Sequence, residues 1–278
     1  MLSSRLSRVG CSAAVLVVAA TSAVVSQTAP AVAAPAACAT ASVEVVPTEV
    51  PPLGWLENIA FDRAGDLWTA RSYRSVLERH GPSGRLTATV PVPFPAAVRL
   101  GPDGLLYVNS TPSPLDATVR SGNIVTVDPA TAQLNPTPFA TGLGLANGAT
   151  IDSAGYHYIA DTARGVTRIR PDGTVDEDWT AKAPKGIGYN GIAVRGDALY
   201  VTMLFSSTTR VVRVPISNPE QSSVAADLIS TPGFLPPLFP DDLAASRTET
   251  CMWRRAAANW CGSTRIPISS ARCFRPCR

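Results

Sequence analysis

At 278 residues the chain is long enough for one large domain or two small ones, and a composition 45% hydrophobic and 16% charged excludes a disordered chain. The formal charge of +3 hides an asymmetry: residues 1–33 carry two Arg and no acid, and residues 245–278 carry seven Arg and one acid, Glu249. The body between them, residues 34–244, holds 15 basic and 20 acidic residues, which excludes a basic face for nucleic acid.

The chain opens with the pattern of a secretory signal peptide over residues 1–33. Arg5 and Arg8 form a positive start, Ala13 to Ala20 is an unbroken apolar run, and Ala31-Val32-Ala33 is a small-x-small cleavage signal. The apolar run is shorter than the ~20 residues a spanning helix needs. The expectation is an extracellular protein, exported and cleaved near Ala34, with no stable membrane insertion afterwards. Residues 34–52 are a lead-in.

From residue 53 a phrase recurs: a lead residue, a small or apolar pair, an acid or Gly turn, then a strand with an aromatic. Its copies start at Glu57, Ala97, Asn147 and Asn190, and their strand aromatics are Trp68, Tyr107, Tyr158 and Tyr200, spaced by 39, 51 and 42 residues. The long gap holds an insertion, Thr111 to Gly122. Most copies continue into further strands; Gly165 to Val175 alternates Val and Ile with Thr and Arg, then turns at Pro171-Asp172-Gly173 towards another strand. A unit of ~40–50 residues with about four strands has the dimensions of a propeller blade. A β-sandwich has no reason to repeat one phrase at a fixed period. The predicted fold is therefore all-β, a β-propeller over residues 53–244 with about four complete blades and a partial fifth.

The fifth copy begins at Phe239-Pro240-Asp241 and stops. Residues 245–278 carry four of the six cysteines (Cys251, Cys261, Cys273 and Cys277) and no alternation. A disulfide-stapled tail would suit an exported protein. A reading-frame shift that replaced the true end accounts better for a break in the middle of a phrase. A zinc site is disfavoured by the spacings and the lack of nearby His.

In a propeller the first strand of each blade lines a central channel, so equivalent positions converge on the axis. The lead residues Glu57, Asn147, Asn190 and Asp241 all offer oxygen donors; Ala97 is the exception. Hard oxygen ligands suit Ca2+, and in some geometries Mg2+ or Mn2+. Turn chemistry alone explains any one of these residues but not the set. The two histidines offer little: His80 is expected in an exposed turn, and His157 in a packed role between Tyr156 and Tyr158.

These phrases resemble the senescence-marker/gluconolactonase (regucalcin-like) family of six-bladed propellers. Trp55-Leu56-Glu57 through Asp62 is similar to its first-blade motif with a metal-binding Glu. Ala146-Asn147-Gly148 and Tyr189-Asn190-Gly191 are similar to its two Asn motifs, and Phe239-Pro240-Asp241 to the motif whose Asp is both ligand and base. The resemblance covers roughly residues 53–244 and implies hydrolysis of a lactone or ester at a divalent cation. Calcium is the expected cofactor, with Mg2+, Mn2+ or Zn2+ as alternatives. It implies Glu57, Asn147, Asn190 and Asp241 as metal ligands, Asp241 as proton acceptor, and a small lactone or sugar-derived substrate. The rest of the family's fifth blade and its sixth are missing from the pattern. The rival expectations are a non-catalytic propeller of the NHL type that binds a sugar or protein, and an inactive truncated product.

Overall fold

The structure is a computed structural model, and it describes residues 53–112, 121–204, 210–227, 240–245, 250–255 and 261–265. The signal-like segment, the lead-in, most of the insertion after Thr111 and the end of the tail lie outside these residues. Among the described residues no helix is long and apolar enough to cross a membrane.

The described strands form five antiparallel sheets, each built in chain order. The first contains β1 (Asn58–Phe61), β2 (Leu67–Arg71), β3 (Val76–His80) and β4 (Leu86–Pro91). The second contains β5 (Pro95–Leu100), β6 (Leu106–Ser110), β7 (Gly122–Asp128) and β8 (Gln133–Leu134), with β9 (Ala140–Leu143) also paired to β7. The third contains β10 (Ala146–Ile151), β11 (His157–Asp161) and β12 (Gly165–Ile169). The fourth contains β13 (Tyr189–Arg195), β14 (Ala198–Met203), β15 (Arg210–Pro215) and β16 (Ser223–Asp227). The fifth contains β17 (Pro240–Ala245), β18 (Thr250–Arg255) and β19 (Cys261–Arg265). Its register sets Pro240 opposite Arg255 and Leu243 opposite Trp253, so the paired backbone runs past residue 244, where the repeated phrase gives out.

The first strands lie side by side: β1 against β5, β5 against β10, β10 against β13, and β13 against β17. Sheets arranged radially about adjoining inner strands make a β-propeller, as the phrase predicts. Apolar faces fill each gap between blades. Trp68, Leu77 and Val90 pack against Val98, Leu106 and Val127 between the first two blades. Ile124 meets Ile159 and Ile169 at the next junction, and Tyr158 and Val166 meet Ile192 and Leu199 at the one after. Fully burying one such side chain is worth about 1.5–3 kcal/mol.

Two polar devices recur with the phrase. In three blades the turn acid holds the strand aromatic from below: Trp68 Nε1 donates to Asp62 Oδ2 at 2.8 Å, and the Tyr107 and Tyr158 hydroxyls donate to Asp103 and Asp152 Oδ2, each at 2.9 Å. The same carboxylates accept turn N–H groups, as Ala64 N and Asp66 N do with Asp62 Oδ1. Gly65, Gly104 and Gly155, at φ +86°, +93° and +83°, supply the left-handed residue these turns need. The second device crosses between blades. A polar side chain at the end of each second strand donates to a carbonyl of the next inner strand. The pairs are Ser72 Oγ to Pro95 O, Asn109 Nδ2 to Asn147 O, Thr162 Oγ1 to Tyr189 O, and Thr202 Oγ1 to Asp241 O, at 2.6–3.0 Å.

Two local expectations fail. After β12 the chain makes only one bridge, Ile169 to Val175, before helix α1 (Glu177–Lys182). Asp176 caps that helix by accepting from Trp179 N, acids fill its first turn, and Trp179 buries against the fourth blade. His80 is not in an exposed turn: it ends β3 opposite Leu67 and is 5% exposed. It lies 3.4 Å from Glu78, which pairs at 2.9 Å with the equally buried Arg71.

His157 takes the packed role expected of it. It is buried against Tyr107 and Phe139, with ring centroids at 4.4 and 4.9 Å. Burial lowers its pKa to about 4, against weaker opposing pulls from Asp103 and Asp152. The unfolded chain therefore binds this proton more readily, so the contribution is whole above about pH 6.5 and declines as pH falls towards 4. Urea unfolding from pH 7 to 4 should show a loss on the order of 3 kcal/mol that His157→Leu removes; an equal loss in the variant would contradict this.

Candidate functional site

The four predicted residues sit at one level of the propeller, where adjacent inner strands begin. A β-bulge occurs at this level in four of the five blades. Pairing shifts between Pro95 and Val98 in β5, between Ala146 and Gly148 in β10, between Tyr189 and Ile192 in β13, and between Pro240 and Leu243 in β17. The extra residue leaves Asn147, Asn190-Gly191 and Asp241-Asp242 outside regular pairing, which re-aims their side chains. Glu57 precedes β1, held by its own N–H to Ala70 O at 3.0 Å.

Glycine sets the spacing of these bulges. A Cβ on Gly148 would overlap the Asn190 carbonyl oxygen, and one on Gly191 would overlap the Asp241 carbonyl and come within 2.7 Å of Leu243 N. Each Gly therefore lets the next candidate residue's backbone press against it. Thr202 secures the last step: Oγ1 accepts from Gly191 N at 2.7 Å and donates to Asp241 O at 2.7 Å.

Two of the four side chains meet, and the other two are buried. Asn147 Nδ2 donates to Glu57 Oε1 at 3.2 Å across 90 residues of sequence, and Trp55 Nε1 donates to Glu57 Oε2 at 2.5 Å. Asn190 is 2% exposed, and its Oδ1 is buried with no hydrogen-bond donor among the described residues. Asp241 is 4% exposed. A buried acceptor with no donor costs about 1–3 kcal/mol, which a bound water or cation would offset. Among the described residues no three His, Cys, Asp or Glu side chains cluster as a metal site. The candidate set has two carboxylates and two amides, a donor chemistry for a hard cation and not for a thiolate- or imidazole-seeking one. The orphan Asn190 oxygen and this donor set fit a divalent cation.

Sequence reasoning missed the groups that support this set. Asp161 is fully buried and accepts from Gly144 N at 2.7 Å and from Leu145 N and Ala163 N at 3.0 Å, fixing the loop that delivers Asn147. Burial pushes its carboxyl up, and those N–H groups pull it back. Asn58 and Asp242, each beside a predicted residue, meet at 2.7 Å, and Arg99 reaches both. The second acid of Asp241-Asp242 was the available signal.

No protein-family model matches the chain, and no curated protein matches it in sequence. Solved structures share its fold at low identity. A streptogramin B lyase aligns with TM-score 0.52 and 14% identity over 75% of this chain, which spans 64% of that protein. A chain of a nidogen–laminin complex aligns with TM-score 0.58 and 16% identity over 76% of each. A gluconolactonase from Xanthomonas campestris aligns with TM-score 0.52 and 14% identity, over 72% of this chain and 69% of that one. At these identities the likeness is one of fold, the β-propeller, and propellers of this shape include both a hydrolase and a lyase.

Thr202→Val keeps the shape but removes the bridge from Gly191 N to the Asp241 carbonyl. Urea unfolding should show a loss of about 1–3 kcal/mol. An unchanged midpoint would contradict the bridge.

Proposed function

We propose that this propeller is an exported, divalent-cation-dependent hydrolase that opens small lactones or related esters. The observation that carries the reading is the Asn190 Oδ1, buried without a donor among the described residues, beside the adjoining Asn147 and Asp241 strands, with Asn147 bonded to Glu57. The likeness to a gluconolactonase supports the same chemistry at the level of fold.

Glu57, Asn147, Asn190 and Asp241 would hold the cation, with Ca2+ favoured and Mg2+ or Mn2+ as alternatives; the all-oxygen set disfavours the Zn2+ alternative. Two carboxylates balance its charge, and the amide oxygens ligate without adding any. When bound, such a cation would supply polarisation of a substrate carbonyl and stabilisation of the charge that develops on it. Asp241 takes the proton from the attacking water. Trp55 and Asn147 fix the Glu57 carboxylate through its two oxygens, so its geometry is set before a ligand arrives. Thr202 holds the backbone of Asp241 and with it the base.

A second reading, a non-catalytic propeller that presents its face to a sugar or protein, draws on the likeness to the chain from the nidogen–laminin complex. A binding module has no need of an oxygen-donor set on its axis.

Calcium titration calorimetry and pH-stat assays with simple lactones test the proposal. Glu57→Gln and Asp241→Asn should each lower calcium affinity at least tenfold and abolish calcium-dependent hydrolysis. Unchanged affinity in both would remove the site, and calcium binding without hydrolysis would favour the second reading. For export, N-terminal sequencing of secreted protein should begin near Ala34; secreted material that begins at Met1 would contradict a cleaved signal.

A further inference from the structure

Just inside the candidate residues the axis is crossed by a polar clasp that the proposed chemistry does not use. Arg99 belongs to the second blade, whose lead residue is Ala97, the one lead position without an oxygen-donor side chain. Its guanidinium reaches three other blades. Nη1 donates to Asn58 Oδ1 in the first blade, Nε donates to Ala149 O in the third at 2.7 Å, and Nη2 lies 3.4 Å from Asp242 Oδ1 in the fifth. Asn58 Nδ2 donates to Asp242 Oδ2 at 2.7 Å, joining positions 184 residues apart. Asn58 Oδ1 also accepts from Val98 N at 3.3 Å, and Asp242 Oδ1 accepts from Leu243 N at 2.9 Å.

The placement follows chain position. Asn58 and Asp242 are the residues directly after Glu57 and Asp241, and Ala149 is two residues after Asn147. A planar guanidinium with a fixed fork of donors holds several acceptors in one geometry, which a flexible ammonium does not. Arg99 keeps about a quarter of its side chain exposed, 23%, and Asp242 keeps 31%. As a simple ion pair this contact would be worth little; its consequence lies in the backbones it registers. Neighbouring inner strands are held by apolar packing and a carbonyl latch. The first and fifth, which are not neighbours, are tied by Asn58, Asp242 and Arg99.

We infer that Arg99 is a positioning residue: through Asn58 and Asp242 it holds Glu57 and Asp241, the two carboxylates of the candidate cation site, at ligating separation across the axis between the first and fifth described inner strands. The inference rests on the proposed cation site and adds a residue that makes no contact with the ion.

Terbium(III), a hard oxygen-seeking probe, tests the cation site and the positioning role separately. The Trp55 indole touches the Glu57 carboxylate, so terbium at Glu57 should emit when tryptophan is excited. The unmodified chain should show saturable emission that calcium displaces; its absence overturns the cation site and the positioning role with it. Arg99→Met should weaken terbium binding at least tenfold, and Arg99→Lys should recover part of the loss. The urea midpoint without ions serves as control, because a purely structural role would move it and leave the terbium affinity of the folded protein alone. Affinity within twofold of the unmodified chain in a folded Arg99→Met overturns the inference while the cation site stands. Should Arg99→Met not fold, Arg99→Lys decides: a threefold or greater weakening supports the role, and unchanged affinity overturns it.

Discussion

The bulge at the start of the inner strands is the constraint on which the rest of the molecule depends. A regular antiparallel ladder would send successive side chains to alternate faces and bury them between blades. One extra residue breaks that alternation in β5, β10, β13 and β17 and frees a side chain for the axis. The disruption leaves backbone groups that need partners, and the latches answer that need. Asn109 donates to the Asn147 carbonyl, and Thr202 satisfies both Gly191 N and the Asp241 carbonyl. Gly148 and Gly191 then let adjoining bulges approach more closely than any side chain would allow. Strand geometry, blade spacing and the release of Asn147, Asn190 and Asp241 from regular pairing thus share one cause.

Much of this was legible in the sequence because the repeat is written in residues with a mechanism. The turn acid, the left-handed Gly and the strand aromatic form one hydrogen-bonded unit at Asp62–Trp68, Asp103–Tyr107 and Asp152–Tyr158, so the phrase is a physical object and not a statistical echo. The propeller followed from its period. The lead residues were legible by position, and the structure brings Glu57 and Asn147 into contact and sets the strands of Asn147, Asn190 and Asp241 side by side.

What was not legible depends on contacts distant in sequence. Arg99, Asn58 and Asp242 look like ordinary turn and strand residues until three blades meet. The bulges leave no mark in hydrophobic alternation over so few residues. His80 read as an exposed turn beside Gly81-Pro82, yet pairing with Leu67 carries it into the sheet beside the buried Glu78–Arg71 pair. The alternation after Gly165 promised another strand, and the Asp176 cap with the burial of Trp179 produced a helix instead. In each case a tertiary partner outweighed a local signal.

A propeller of this kind hosts many activities, so the functional reading stands on the donor set and not on the fold. The central claim is that Glu57, Asn147, Asn190 and Asp241 share one cation. Anomalous diffraction from crystals of the protein soaked in Mn2+ tests it most directly. The account predicts one strong peak on the axis, within about 2.0–2.6 Å of an oxygen from each of the four side chains. A peak elsewhere, or none at a concentration that saturates comparable sites, would contradict it.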